Sequence, residues 1–136
     1  MVGGGPDAFI GDAHRRAISL DESARLVAGV FSRNAEKSKK MGEVLHIEEE
    51  RCYKDYETMA LEEAKREDGI DFVVVVTPNA SHYEICKAFL NAGIHVVCDK
   101  PVTTTYEKAV ELQKLAEEKS LLFMVTYRIS AGMACI

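Results

Sequence analysis

Short apolar runs alternate with longer amphipathic stretches along the chain. Residues 26–31, 72–76, 94–98 and 121–126 are rich in Val, Leu, Ile and Phe, without the polar alternation of a sheet that keeps one face wet. Such runs suit strands buried on both faces of a parallel sheet. A weaker strand signal lies near Cys52 and Tyr53. The stretches between carry helix signals. Ser81 and Glu84 form an S-x-x-E capping box, Gly93 supplies the stop, and Ile85, Cys86, Phe89 and Leu90 fall on one face. Thr104 and Glu107 repeat the box ahead of Ala109, Leu112 and Ala116, which recur at three- and four-residue spacing. Asp55 starts another helix that Gly69 ends. Residues 34–45 make a more polar helix with Lys37, Lys39 and Lys40 towards solvent.

Regular alternation of strand and helix implies right-handed crossovers and a doubly wound α/β fold with a parallel sheet. Ligands of such sheets bind beyond the carboxyl ends of the strands, so chemistry is expected in the loops that start at Gly3, Ser32, Thr77 and Asp99.

Composition narrows the picture further. The chain has 136 residues, 47% of them hydrophobic, which suits one domain with one enclosed core. Seventeen Lys and Arg stand against 22 Asp and Glu, so the long-range field offers no attraction to nucleic acid or anionic lipid, and any phosphate site must be local. The longest apolar runs are far below the roughly 20 residues that span a bilayer. No secretory leader pattern opens the chain, so a soluble, cytoplasmic protein is expected. Cys52, Cys86, Cys98 and Cys135 are irregularly spaced, with no C-x-x-C and no paired histidines. They are expected to be reduced thiols, Cys86 and Cys98 acting as small hydrophobes, with no metal site.

The first loop reads Gly3-Gly4-Gly5-Pro6-Asp7-Ala8-Phe9-Ile10-Gly11, a loosened G-x-G-x-x-G with extra residues before its last glycine. Glycines let a backbone approach a pyrophosphate that the following helix N-terminus holds, although a glycine-rich turn can also be a turn alone. His14 and Arg15, on the first helical turn, either reach a phosphate or form an exposed pair. In the second loop, Ser32-Arg33-Asn34 offers no carboxylate for a ribose 2′-hydroxyl. Ser32 and Arg33 suit a 2′-phosphate instead, which favours NADP over NAD, unless Ser32 or Asn34 serves only to cap the next helix.

Thr77-Pro78-Asn79-Ala80-Ser81-His82 follows one strand and Asp99-Lys100-Pro101 follows the next. In order, spacing and strand context these segments resemble the T-P-N-x-x-H and E-K-P signatures of the glucose-fructose oxidoreductase, inositol dehydrogenase and MocA family, with Asp99 in place of Glu. The resemblance runs from Gly3 to about Thr126. It implies a Rossmann fold over residues 1–127, with Gly3, Gly5 and Gly11 at the dinucleotide and Thr77, Pro78, Asn79 and His82 along the cofactor. It also implies that Lys100, ahead of Pro101, lies beside the nicotinamide and the substrate hydroxyl. The implied activity is NAD(P)-dependent oxidation or reduction of a secondary alcohol on a sugar, cyclitol or related polyol, by a full-length form that is a homo-oligomer. The alternatives are a dinucleotide-binding module without turnover, or an unrelated doubly wound protein such as an adenosylmethionine-dependent methyltransferase. The last leaves T-P-N-x-x-H and D-K-P unexplained.

Two segments depart from the family pattern. Only Met1 and Val2 precede Gly3, so the first strand is expected to be incomplete, and the C-terminal substrate domain of the family is absent from these residues. Residues 128–136 do not follow the pattern and are read as a tail outside the domain, its origin unassigned. On this basis the 136 residues alone are expected to be marginally stable and without dehydrogenase turnover.

Overall fold

Phe72–Val76 forms a strand, β2, in which Val73 to Val76 are all buried, as an apolar run enclosed on both faces requires. The computed structural model describes residues 1–6 and 8–127. β1 (Val2–Gly3) and β3 (His95–Asp99) flank β2, and β4 (Phe123–Thr126) lies outside β3, with every pairing parallel. On the far side of β1, Val30 bridges Val2, and Gly29 bridges Cys52, both in parallel. Counted along the chain, the two bridged segments and four strands stand in the order 3-2-1-4-5-6, that of a dinucleotide-binding doubly wound sheet.

Successive β2 side chains point to opposite faces and enter different cores. Val73 and Val75 pack with α3 (Tyr56–Glu63), α4 (His82–Asn91) and α5 (Tyr106–Glu118), where Met59, Phe89, Leu90 and Leu112 are fully buried. Val74 and Val76 pack on the other face with Phe31, with Met41 of α2 (Ala35–Val44), and with Ile10 and Ile18 of α1 (Phe9–Ser19). Met1 and Val2, each 3% exposed, fill the space between the two sheet halves, and the Met1 nitrogen donates to the Ala28 carbonyl at 2.8 Å.

Several local features differ from expectation. The run 26–31 enters the sheet only through Gly29 and Val30, because β1 and the Cys52 segment beside it are themselves short. α1 begins at Phe9 and takes Gly11 inside it, which places His14 and Arg15 on its second turn. Ser81 does not cap α4. Its Oγ lies 2.9 Å from Thr77 Oγ1 and 2.7 Å from the Pro78 carbonyl oxygen, within the 3-10 turn Asn79–Ser81 that precedes the helix. At α5 the cap is Thr105, whose hydroxyl accepts from Lys108 N, so the box expected at Thr104 sits one residue later. Asp55 and Asn34 cap α3 and α2 as expected, but α3 ends at Glu63, well before Gly69. Cys86 and Cys98 are fully buried free thiols, and Cys52 is free and half-buried. Cys135 and the tail 128–136 lie outside the described residues. No helix among the described residues is long and apolar enough to cross a membrane.

Candidate functional site

The loops that leave the carboxyl ends of β1, β2 and the 29–30 and 52 segments surround a cleft of about 560 Å³. The glycine turn forms one wall. Gly3 has φ +89°, and a Cβ there would fall 2.6 Å from the Val76 carbonyl oxygen, so only glycine lets this turn lie against β2. Gly11 is buried behind it, where a Cβ would run into the Cα of Gly4. This contact seats the N-terminus of α1 on the glycine turn. Ala8, the N-cap, makes no side-chain cap, so the helix presents its positive end and its first N–H groups at the turn. A turn that excludes side chains and an uncapped helix N-terminus fit a pyrophosphate. Arg15 supports the turn from behind by donating to the Gly4 carbonyl at 2.8 Å, and its side chain is only 14% exposed.

At the next wall Asn34 caps α2 by accepting from Lys37 N at 3.0 Å, and Ser32 Oγ accepts from Asn34 N at 3.1 Å. The capping role therefore belongs to Asn34, with Ser32 bracing it, while Arg33 stays exposed and lines the cleft with Ser32. Lys37, expected only as a solvent-facing helix residue, lines it as well, and so do Lys54 and Tyr56, which the sequence pattern did not single out. Lys54 and Tyr56 follow the weak strand signal at Cys52 and Tyr53. The rule that located the other loops points to them once that segment is counted as a strand.

Thr77 and Pro78 close the third side. The sequence model of the oxidoreductase family with an NAD-binding Rossmann fold matches residues 1–127. The chain belongs to the Gfo/Idh/MocA oxidoreductase family. It is 48% identical over 133 residues to the uncharacterized oxidoreductase YfiI of Bacillus subtilis, a match that covers 97% of this chain and 34% of YfiI. Over 65 residues it is 43% identical to the scyllo-inositol 2-dehydrogenase (NADP(+)) IolW of the same organism, covering 48% of this chain and 18% of IolW. An inositol dehydrogenase homolog of Azotobacter vinelandii, solved with NADH and myo-inositol, superposes with a TM-score of 0.91 at 44% identity, covering 93% of this chain and 34% of that one. The chain thus spans about a third of the length of the relatives that it matches along nearly its whole length.

Within this family fold the predicted residues fall into groups. Gly3, Gly5, Ser32, Arg33, Thr77 and Pro78 share the cleft. Gly11 lies behind it, Asn79 is exposed beside Pro78, and Lys100 and Pro101 are exposed just beyond β3. His82 is fully buried, with Nδ1 2.8 Å from the Pro101 carbonyl oxygen and Nε2 2.8 Å from that of Thr77. Asp99 Oδ1 accepts from Thr126 Oγ1 at 3.2 Å and lies 3.7 Å from His14 Nε2, so His14 belongs to the β3 end rather than to solvent. Among the described residues no cluster of His, Cys, Asp and Glu could hold a metal ion.

Proposed function

We propose that this chain forms the dinucleotide-binding part of an NAD(P)-dependent dehydrogenase that acts on a secondary alcohol of a sugar, cyclitol or related polyol. One observation carries the reading: the glycine turn, the Ser32–Arg33 pair and the Thr77–Pro78 segment share a single cleft, and Lys100 leaves the sheet from the neighbouring strand end. Gly3 and Gly5 bring the backbone to the pyrophosphate, and Gly11 seats the helix that holds it. Thr77, Pro78 and Asn79 lie along the cofactor, with His82 beneath them and Pro101 beside Lys100. A nicotinamide bound there would supply the hydride chemistry at the alcohol carbon. The Lys100 ammonium, hydrogen-bonded to the oxygen, would stabilise the negative charge that develops there and, in the reducing direction, would supply the proton that the oxygen takes up. The polyol class draws support from the names of IolW and the Azotobacter vinelandii homolog.

The cofactor is NADP in preference to NAD. Arg33, Lys37 and Lys54 all line the cleft. Of the two acidic residues that line it among the described residues, Asp55 is engaged in capping Thr58 N and Glu57 lies outside the Ser32–Asn34 turn. A guanidinium beside a serine hydroxyl matches a 2′-phosphate.

The test is a fluorescence titration of the full-length protein with NADPH and NADH, followed by reduction of NADP⁺ by that protein with a panel of polyols. Tighter NADPH binding and turnover of a polyol are expected. Binding without turnover of any polyol assigns a binding module, and failure to bind either cofactor overturns the reading.

A further inference from the structure

His82 opens α4, yet its ring is fully buried between two loops. Nδ1 lies 2.8 Å from the carbonyl oxygen of Pro101, the residue after Lys100, and Nε2 lies 2.8 Å from the carbonyl oxygen of Thr77 in the cleft wall. Backbone carbonyls only accept. A neutral imidazole has one N–H and one lone pair, so in either tautomer it would set a lone pair against an oxygen at hydrogen-bond distance. Only the doubly protonated ring donates to both.

We infer that His82 is a positioning residue held as an imidazolium, which donates to both carbonyls and so locks the Thr77 loop to the loop that carries Lys100. The link to Lys100 rests on the dehydrogenase reading; the protonation state does not.

Several charges bear on the ring. Burial opposes the positive form, and so does the positive end of α4. Against them stand Cys98 of β3, through a hydrogen bond and its charge, and the Pro101 and Thr77 carbonyls, which together lift His82 to about 9. Cys98 is itself held below the ordinary thiol value by the Cys86 thiol of α4 and then by His82, whereas Asp99 raises it. Asp99 in turn faces His14 of α1. Because the folded value exceeds the ordinary 6.5, the clamp is complete below that pH and is lost as pH rises through about 9.

The test is nitrogen-15 NMR of the protein labelled at its histidine rings. Its four histidines are distinguished by His14→Gln, His46→Gln and His95→Gln, which leave His82 in place. Expected are two proton-bearing ring nitrogens on His82 from about pH 6 to about pH 8. A single protonated nitrogen at neutral pH overturns the proposal. In the active protein His82→Gln, which keeps one donor for one carbonyl, is expected to lower kcat about tenfold while the cofactor KM stays within about twofold. Wild-type kcat is expected to fall as pH rises through about 9, a fall that the variant lacks. An unchanged kcat in His82→Gln overturns the link to Lys100 even if the ring is an imidazolium. If no polyol is turned over, the NMR arm still decides the protonation state, since it needs no substrate.

Discussion

Arg15 Nη1 donates to the carbonyl oxygen of Gly4 at 2.8 Å, so the dinucleotide helix is tied back onto the turn that precedes it. The guanidinium works inside the protein rather than on a phosphate. Asp12, one turn earlier in α1, lies 3.9 Å away and balances part of its charge. Arg15→Ala is expected to cost about 1.5–3 kcal/mol, the range for a hydrogen bond with one charged partner. It should weaken NADPH and NADH equally, because the turn serves both. Thermal melting and the two titrations check this. A loss confined to one cofactor would assign Arg15 to the ligand instead.

Gly11 sets two effects against each other. Inside a helix, alanine is preferred to glycine by about 1 kcal/mol, so propensity alone favours Gly11→Ala. The new Cβ, however, runs into the Cα of Gly4, and backbone cannot rotate out of the way as a side chain can. Overpacking of this kind costs about 1–3 kcal/mol and here displaces the helix from the turn. Net destabilisation and at least a tenfold loss of dinucleotide affinity are expected. A melt that rises would show the turn to be more pliant than the contact implies.

Beside the Cys52 segment at the edge of the sheet, Arg51 and Glu63 form a buried ion pair, their side chains 6% and 0% exposed. Arg51 Nε donates to Glu63 Oε1 at 3.0 Å, and the Tyr53 hydroxyl donates to the same oxygen at 2.8 Å. Glu63→Gln keeps the shape but turns an amide nitrogen or a weaker acceptor towards these donors. Removing one partner of a buried pair costs about 3–5 kcal/mol, and Glu63→Gln is expected near the lower end because Asp68 still faces Arg51 at 3.5 Å. Replacing both with apolar residues, Arg51→Met with Glu63→Leu, should recover much of the loss. Urea unfolding of the three proteins decides it, and a double variant as unstable as Glu63→Gln would mean that the network holds local geometry beyond its charges.

How far the fold is legible in the sequence depends on what each signal competes with. The run Phe72–Val76 coincides with β2, since five apolar residues between polar flanks leave no other placement in the core. Asn34 and Asp55 cap their helices through purely local contacts, which a local pattern can reveal. Ser81 and Thr104 match the same pattern and do not cap. Ser81 is drawn to Thr77 and Pro78, and the turn before α5 places Thr105 rather than Thr104 at the helix end. In the site, glycine spacing marks the turn, but Lys54 and Tyr56 reach the cleft through a segment held by one bridge at Cys52, so short that it leaves only a weak strand signal. The double contact of His82 joins loops 19 and 5 residues away and is invisible to any local reading.

On the proposed reading, Arg33 is the residue that separates the two cofactors. It lines the cleft and is exposed, beside Ser32 and at the start of α2, where a 2′-phosphate is expected. Arg33→Ala should weaken NADP by about 1–3 kcal/mol while leaving NAD unchanged, since only NADP carries the phosphate. Lys37 and Lys54 remain on the same cleft, which favours the lower half of that range. Calorimetry with both cofactors is the check, and equal losses would reject the 2′-phosphate assignment.

Lys100 carries the chemical step in the proposed reaction, and its surroundings separate chemistry from binding. It is exposed just past β3 and does not line the cleft that Gly3, Arg33 and Thr77 share. Its neighbours are fixed on both sides. Asp99 is held by Thr126, and the Pro101 carbonyl by His82. Replacing the side chain therefore leaves the loop in place and removes only the ammonium. If that ammonium stabilises charge on the alcohol oxygen in the transition state, Lys100→Ala loses an interaction absent from the cofactor complex. kcat should then fall by about 10²–10³-fold, some 3–4 kcal/mol of barrier, with the cofactor Kd changed by less than about threefold. Lys100→Arg keeps the charge but changes its reach and cannot give up a proton, so it should recover little of the rate. Steady-state kinetics in the full-length enzyme, alongside dinucleotide titration of the same variants, provide the measurement. A kcat for Lys100→Ala within about threefold of the parent, less than 1 kcal/mol of barrier, would remove Lys100 from the mechanism. A large loss of cofactor affinity with kcat preserved would move it into the dinucleotide site instead.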